Sequence, residues 1–213
     1  MSKQRKKRRS QKQGSLTQRA KVFDGIGIVE YEITEEPIHD RAYKKLPTHV
    51  RDQIDELYFV VHENPGQAIV PLEDLTQKYP HISQLYNFLS IAYSSIGEDD
   101  KAEVIIKKNY EQNPDYLFAK CNYAEICFQK GQVQKIPGIF NNKFDLKLLY
   151  PKRKRFHISE LVGFAGIMGC YFAKTNEMQT ARPYYKMLRK LALKHTMTRR
   201  LKRIVYPSVL VQI

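Results

Sequence analysis

Between Thr48 and Ile204 the apolar positions recur every three to four residues, in segments separated by Gly, Asn and Pro, which is the signature of amphipathic helices in series. In residues 83–96, Leu85, Phe88, Leu89 and Ala92 share one face, Gly97 stops the helix, and Glu98, Asp99 and Asp100 put acid at the positive start of the next. Asn113-Pro114 closes that pair. Upstream the period changes. Val22–Thr34 alternates, with Val29, Tyr31 and Ile33 on one side and Glu30, Glu32 and Thr34 on the other, predicting a short extended segment. Residues 1–20 are Lys, Arg, Gln and Ser with little to bury and read as a disordered arm.

The helices repeat. Gly97 and Gly131 lie 34 residues apart, as do Tyr93 and Cys127, Pro80 and Pro114, Ala68 and Ala102, and Ala102 and Ile136. Residues 83–116 place Tyr86, Leu89, Ser90, Tyr93, Ala102, Ile106 and Pro114 at the seven positions of the pattern W-x2-L-G-x2-Y, A-x3-F, P, and so resemble the tetratricopeptide repeat. Residues 117–150 follow through Tyr123, Ala124, Cys127, Gly131 and Phe140, with Lys120 replacing the aromatic and Ile136 the alanine. Residues 49–82 match only in their second half (Ala68, Leu72, Pro80), since Asp52, Asp55 and Glu56 stand at the first helix's signature positions. A last unit over about 159–195 offers Gly166 or Gly169, Phe172, Ala181 and Tyr185, after an insertion near 148–158.

The expected fold is all-α: an α-α superhelix over 48–204, preceded by the arm (1–20) and an extended linker (21–47) and followed by a tail (205–213). Tyr206–Ile213 could add a strand beside residues 26–34. Pro71, Pro137 and Pro183 fall near the start of second helices, with Pro71 deep enough to kink its own. The residues around Tyr184, Leu188, Leu191 and His195 suit a cap that ends the solenoid.

The resemblance also implies a function. In such repeats the first helix of each pair lines a concave groove for a peptide or helical segment of a partner protein, which here points to Asn87, Ile91 and Ser94, and to Phe118, Cys121, Asn122, Glu125, Phe128 and Gln129. Phe118 and Phe128 are equally suited to packing against adjacent helices. Of the residues with which one subclass grips a chaperone's C-terminal carboxylate, only Asn122 is retained, and Phe118 stands where lysine would be expected.

Composition changes the picture in one respect. The 213 residues are globular in balance, with 42% hydrophobic and 27% charged, yet the net charge is +14. Residues 1–21 and 178–213 each carry nine basic side chains and no acid, so of +14 the remaining residues 22–177 hold −4. Phosphate contact is one reading of these ends, through Arg5, Lys6, Lys7, Arg8 and Arg9, through Arg199, Arg200, Lys202 and Arg203, and through the run Lys152, Arg153, Lys154 and Arg155 in the insertion. A solubilising tail, a targeting address and an unstructured arm are the alternatives.

An RNA- or ribosome-associated protein is therefore the second functional reading, beside a non-enzymatic protein-interaction scaffold. No P-loop, GxSxG or HExxH occurs, and Gly25-x-Gly27 opens no phosphate loop, so no catalytic residue is assigned. Isolated histidines and three cysteines without a CxxC pair give neither metal site, cofactor nor disulfide framework. A soluble, cytoplasmic protein is expected, nuclear if the cell has a nucleus, with oligomeric state and partner identity open.

Overall fold

A computed structural model describes residues 18–23 and 28–207. The expected arm before residue 18, Gly25-x-Gly27 and the tail after Pro207 lie outside the described residues. The chain begins with strands β1 (Gln18–Phe23) and β2 (Ile28–Thr34), followed by a single-turn helix α1 (Arg41–Lys44). Two full helix pairs follow: α2 (Thr48–Glu63) with α3 (Pro65–Lys78), and α4 (Ser83–Ser95) with α5 (Asp99–Gln112). Helix α6 (Leu117–Gln129) opens a third pair whose second member is broken into a 3-10 turn (Val133–Lys135), α7 (Ile136–Ile139) and α8 (Leu146–Leu149). Strand β3 (Arg155–His157) leads into α9 (Ile158–Lys174) and α10 (Met178–Leu191), and α11 (Thr196–Val205) ends the array.

The turns inside the pairs share one device. Gly97 and Gly131 adopt φ of +82° and +71°, and Asn176, at the same place in the last pair, φ of +65°. That left-handed residue lets the next N–H reach back to the helix: Glu98 N to Tyr93 O at 3.0 Å, Gln132 N to Cys127 O at 2.8 Å and Glu177 N to Phe172 O at 2.7 Å. Helices α2 and α3 are joined differently, by Asn64 alone with Pro65 as the first helical residue. That connection is two residues shorter than the one between α4 and α5. Ile54, Leu57 and Val61 therefore take the buried places of Tyr86, Leu89 and Tyr93 at a spacing of 32, not 34. The 34-residue register read backwards from Ala68 fails for this reason, and Asp52, Asp55 and Glu56 are surface residues.

Pro71 and Pro183 lie inside α3 and α10, while Pro137 sits in the first turn of α7. The region after Gly131 shows the cost of weak helical sequence: Asn141 and Asn142 both adopt positive φ, at 52° and 56°, and the second helix gives way. Lys120, buried at 4% exposure, donates Nζ to Ile139 O at 2.8 Å and so ties the end of α7 to α6.

A three-stranded sheet of order β1-β2-β3 is the element that the helical reading lacked. β1 and β2 pair antiparallel, and β2 runs parallel to β3, with Glu32, Ile33 and Thr34 opposite Arg155, Phe156 and His157. Ile33 and Phe156 are buried at 2% and 0%, but Thr34, expected on the solvent side, is also buried, its Oγ1 accepting from Arg155 Nη2 at 2.9 Å.

This sheet carries the extended segment to the fourth unit, from which the chain must return to the first. Tyr43 and Leu46 are already in the core of the first pairs, with Tyr43 Oη donating to Asp55 of α2 at 2.6 Å. The eight residues from Glu35, whose carbonyl lies 3.1 Å from His157 Nε2, to Ala42 thus form a strap that connects the start of α9 to the first pair. Six of them, Glu35 to Asp40, precede α1 and cover about 20 Å at roughly 3.3 Å per residue, and the two in the first turn of α1 add about 3 Å. Burial first, and then the carboxylates of Glu160 and Asp40, raise the pKa of Tyr116, the residue just before α6.

The apolar core divides in two. One part joins α1 to α4 and Ala102; the other joins Ile33, α6 and everything after it. Between them lies a polar seam. Buried Asn109 donates Nδ2 to Ser83 O and to Asn87 Oδ1, both at 3.3 Å, and accepts from Asn113 Nδ2 at 3.1 Å. Among the described residues no helix is long and apolar enough to cross a membrane.

Candidate functional site

The first helix of each pair, α2, α4, α6 and α9, turns its large apolar residues toward its partner and neighbours, and what remains forms one continuous side of the solenoid. On α4, burial of Leu85, Tyr86, Leu89, Ala92 and Tyr93 leaves Asn87, Ile91 and Ser94 facing out. Ile91 is 43% exposed. Ser94 is also open, its hydroxyl donating to Asp99 Oδ1 at 3.0 Å. Asn87 is half-buried in the seam, and Asn122 of α6 reaches it with Nδ2 3.2 Å from Oδ1, so these two predicted groove residues touch each other across adjacent first helices. Asn87 in turn donates Nδ2 to Tyr116 Oη at 3.4 Å.

On α6 the predicted residues divide. Phe118 is half-buried against Tyr116, ring centroids 5.7 Å apart. Cys121 does not line a groove: it is buried at 5% exposure, facing Gly163 of α9, and burial pushes its thiol pKa up. Glu125 and Phe128 come together beneath another helix of this chain, with Gln129 exposed at the edge. Arg200 of α11 donates Nη1 to Glu125 Oε1 at 2.5 Å and lays its guanidinium 4.5 Å from the centre of the Phe128 ring, and Gln129 Nε2 donates to the same Glu125 oxygen at 2.9 Å. The reading of Phe128 as packed against a neighbour is the one the contacts favour, with the neighbour being the terminal helix.

Helix α11 can lean this far because α9 is stripped of side chains where the two cross. Positions equivalent to a Cβ on Gly166 and Gly169 would fall 2.0 Å from Met197 Cγ and 2.4 Å from Leu201 Cδ2. The cap expected around Leu188–His195 is therefore completed by a further helix, whose Arg200 covers Glu125 and Phe128 of α6.

On α2 and α4 the groove side is open. Register at spacing 32 puts Phe59 where Ile91 stands on α4, and Phe59 is 60% exposed, with Tyr58 beside it at 47%. Tyr58 meets Phe59 edge-on at 5.3 Å and Phe88 of α4 at 5.6 Å. Sequence reasoning missed this pair because it carried the 34-residue register into α2; the Asn64-Pro65 junction was the signal of a shortened turn. Asp52, Asp55, Glu56 and Glu63 are exposed on the same helix.

The basic residues also separate. Arg153 is committed to Glu160, Nη1 to Oε1 at 2.9 Å and Nη2 to Oε2 at 2.5 Å, with its guanidinium 4.4 Å from the Phe156 ring centre. Arg155 is committed to Glu32 and Glu36 at 3.2 Å and 2.8 Å. With Arg200 these are structural cations, not free phosphate ligands. Lys152 and Lys154 remain exposed. So do Arg199, Lys202 and Arg203, which with Thr196 surround an open concavity of about 430 Å³. Arg5, Lys6, Lys7, Arg8 and Arg9 lie outside the described residues. Among the described residues no group of three His, Cys, Asp or Glu side chains converges on one point as metal ligands would.

The solved structure of PilF from Pseudomonas aeruginosa, a tetratricopeptide-repeat protein, superposes on this chain with a TM-score of 0.51 at 16% sequence identity, covering 72% of this chain and 68% of that one. The likeness is one of fold, and the chain is a TPR-like helical solenoid. No protein-family model and no curated protein matches the sequence.

Proposed function

We propose that the chain is a non-enzymatic scaffold that holds a segment of a partner protein against the first helices of its repeats, on the open half formed by α2 and α4. The observation that carries this reading is the exposed aromatic pair Tyr58 and Phe59, in equivalent register with exposed Ile91, while the corresponding surface of α6 is covered by α11. Aromatic side chains at the centre of a concave face are where binding energy concentrates. The acid on α2 defines the partner's chemistry further: an apolar anchor flanked by Lys or Arg, since like charges would be repelled.

The test compares wild type with Phe59→Asp/Ile91→Asp, both surface changes that leave the melting midpoint in place. A segment taken from a co-purifying protein and synthesised as a peptide binds the wild type and loses about 30-fold or more in affinity for the variant. Equal affinity for both proteins refutes the α2–α4 site.

A further inference from the structure

From Met178 to Pro207 the structure holds no carboxylate side chain, and its cations are arranged, not scattered. On α10 the buried stripe is Ala181, Tyr185 and Leu188, and Arg182, Lys186, Arg189 and Lys190 follow one another on the exposed side at successive turns. The nine residues of helix from Arg182 to Lys190 carry them over about 12 Å. On α11 the buried stripe is Thr198, Leu201 and Val205, and Arg199, Lys202 and Arg203 face outward around the concavity described above. The two helices are pinned together where Tyr206 meets Tyr185 edge-on at 5.5 Å and Arg182 lies 6.0 Å from the Tyr206 ring centre. Tyr206 is still 46% exposed there, a ring held from behind with open surface amid positive charge.

We infer that this end of the solenoid binds single-stranded nucleic acid, with the Arg and Lys side chains of α10 and α11 on the phosphates and a base on Tyr206. Charge complementarity selects a polyanion, and the aromatic ring supported by an arginine is what a strand with unpaired bases uses beyond its phosphates. A membrane surface is disfavoured by the packing. A basic amphipathic helix inserts its apolar side, but that side of α11, Met197 and Leu201 above all, is already spent against Gly166 and Gly169 of α9. An acidic protein segment would use the charges but has no use for the ring. This surface is formed by the last two helices and is separate from the α2–α4 face, so a nucleic-acid strand here and a partner segment there do not displace one another.

The experiment uses the full chain, so that the basic residues before position 22 contribute equally to every variant. Fluorescence anisotropy with a labelled oligouridylate of about 20 nucleotides is read across about 50–300 mM KCl, beside phosphatidylserine vesicles and polyglutamate as rival probes. Arg199→Glu/Lys202→Glu/Arg203→Glu is expected to weaken RNA binding about tenfold or more, and removal of three contacts makes the log–log salt slope about 2 less steep. Tyr206→Ala is expected to weaken binding about fivefold or more without changing the slope. Lys202→Gln/Arg203→Gln, milder for the helix, is read the same way, and circular dichroism melts establish that each variant is folded. Charge variants that bind RNA as the wild type does overturn the proposal. So do vesicles or polyglutamate bound as tightly as RNA, and an unchanged Tyr206→Ala overturns the single strand as the ligand.

Discussion

Substitution of Gly169 by alanine sets two known effects against each other, and the structure decides between them. Inside a helix, Ala is favoured over Gly by about 1 kcal/mol, so an unhindered site would be stabilised. At Gly169 the new Cβ would stand 2.4 Å from Leu201 Cδ2 and 3.1 Å from Tyr184 Cβ, where ordinary contact begins near 3.4 Å. Leu201 is fully buried, so α11 must retreat by about 1 Å, and Tyr184 Cβ moves only with the backbone of α10, which must give by about 0.3 Å. Overfilling of this kind costs about 1–3 kcal/mol. Set against the gain of about 1 kcal/mol, the net expectation is a loss of about 0–2 kcal/mol, or up to ~8 °C in melting midpoint for a chain of this size. Gly163 on the same helix supplies the control: its added Cβ would meet Cys121 at 3.7 Å, ordinary contact, so Gly163→Ala should gain up to about 1 kcal/mol. Urea unfolding of both variants and of Leu201→Ala alone and combined with Gly169→Ala completes the assay. The combined variant should lose less than the sum of its parts, since the colliding methyl is gone. Stabilisation by Gly169→Ala, a shift of the same sign in both glycine variants, or strict additivity would refute the docking of α11 on α9.

Two further outcomes follow from the buried charges. Arg153→Met leaves the Glu160 carboxylate buried with only the His157 N–H on it and should cost about 3–5 kcal/mol, most of it recovered in Arg153→Met/Glu160→Leu, as urea midpoints will show. Desolvation lowers the Lys120 pKa below 10.5, so just below that pH the unfolded chain binds more protons at this site and this group's contribution rises with pH, against the fall contributed by buried Tyr116 and Cys121, whose pKa values are raised; the alkaline loss of stability should therefore be steeper in Lys120→Met than in the wild type in a pH series of unfolding curves.

Much of the solenoid was legible in the sequence, because its signals are local. Gly97 and Gly131 specify positive-φ turns, Ser90 and Ala102 mark close helix approaches, and the apolar period alone places α4, α5 and α6. What escaped was whatever depends on distant partners. Arg155 reads as one of four consecutive-looking cations until Glu32 and Glu36, more than a hundred positions away, are brought to it. β3 is three residues long with no periodicity of its own, and exists because Ile33 and Phe156 share a core. At the candidate site, Asn87 and Asn122 were found by repeat register and do meet, whereas Phe59 was hidden by a two-residue slip in that register, and Arg200 over Phe128 is a contact between units that no repeat pattern encodes.

Repeat arrays normally form from any point outward, each unit needing only its neighbour. The strap removes that freedom at one step. Arg155 and Thr34 are 121 residues apart, so at about 5–20 residues per second β2 waits roughly 6–24 s in the growing chain before its parallel partner exists. Helix pairs α2–α3 and α4–α5 have their own core and can close in that interval. The junction of β2 with β3 is then made after those pairs and, since it joins the fourth unit to the first, is the step that turns a row of neighbours into one cooperative body.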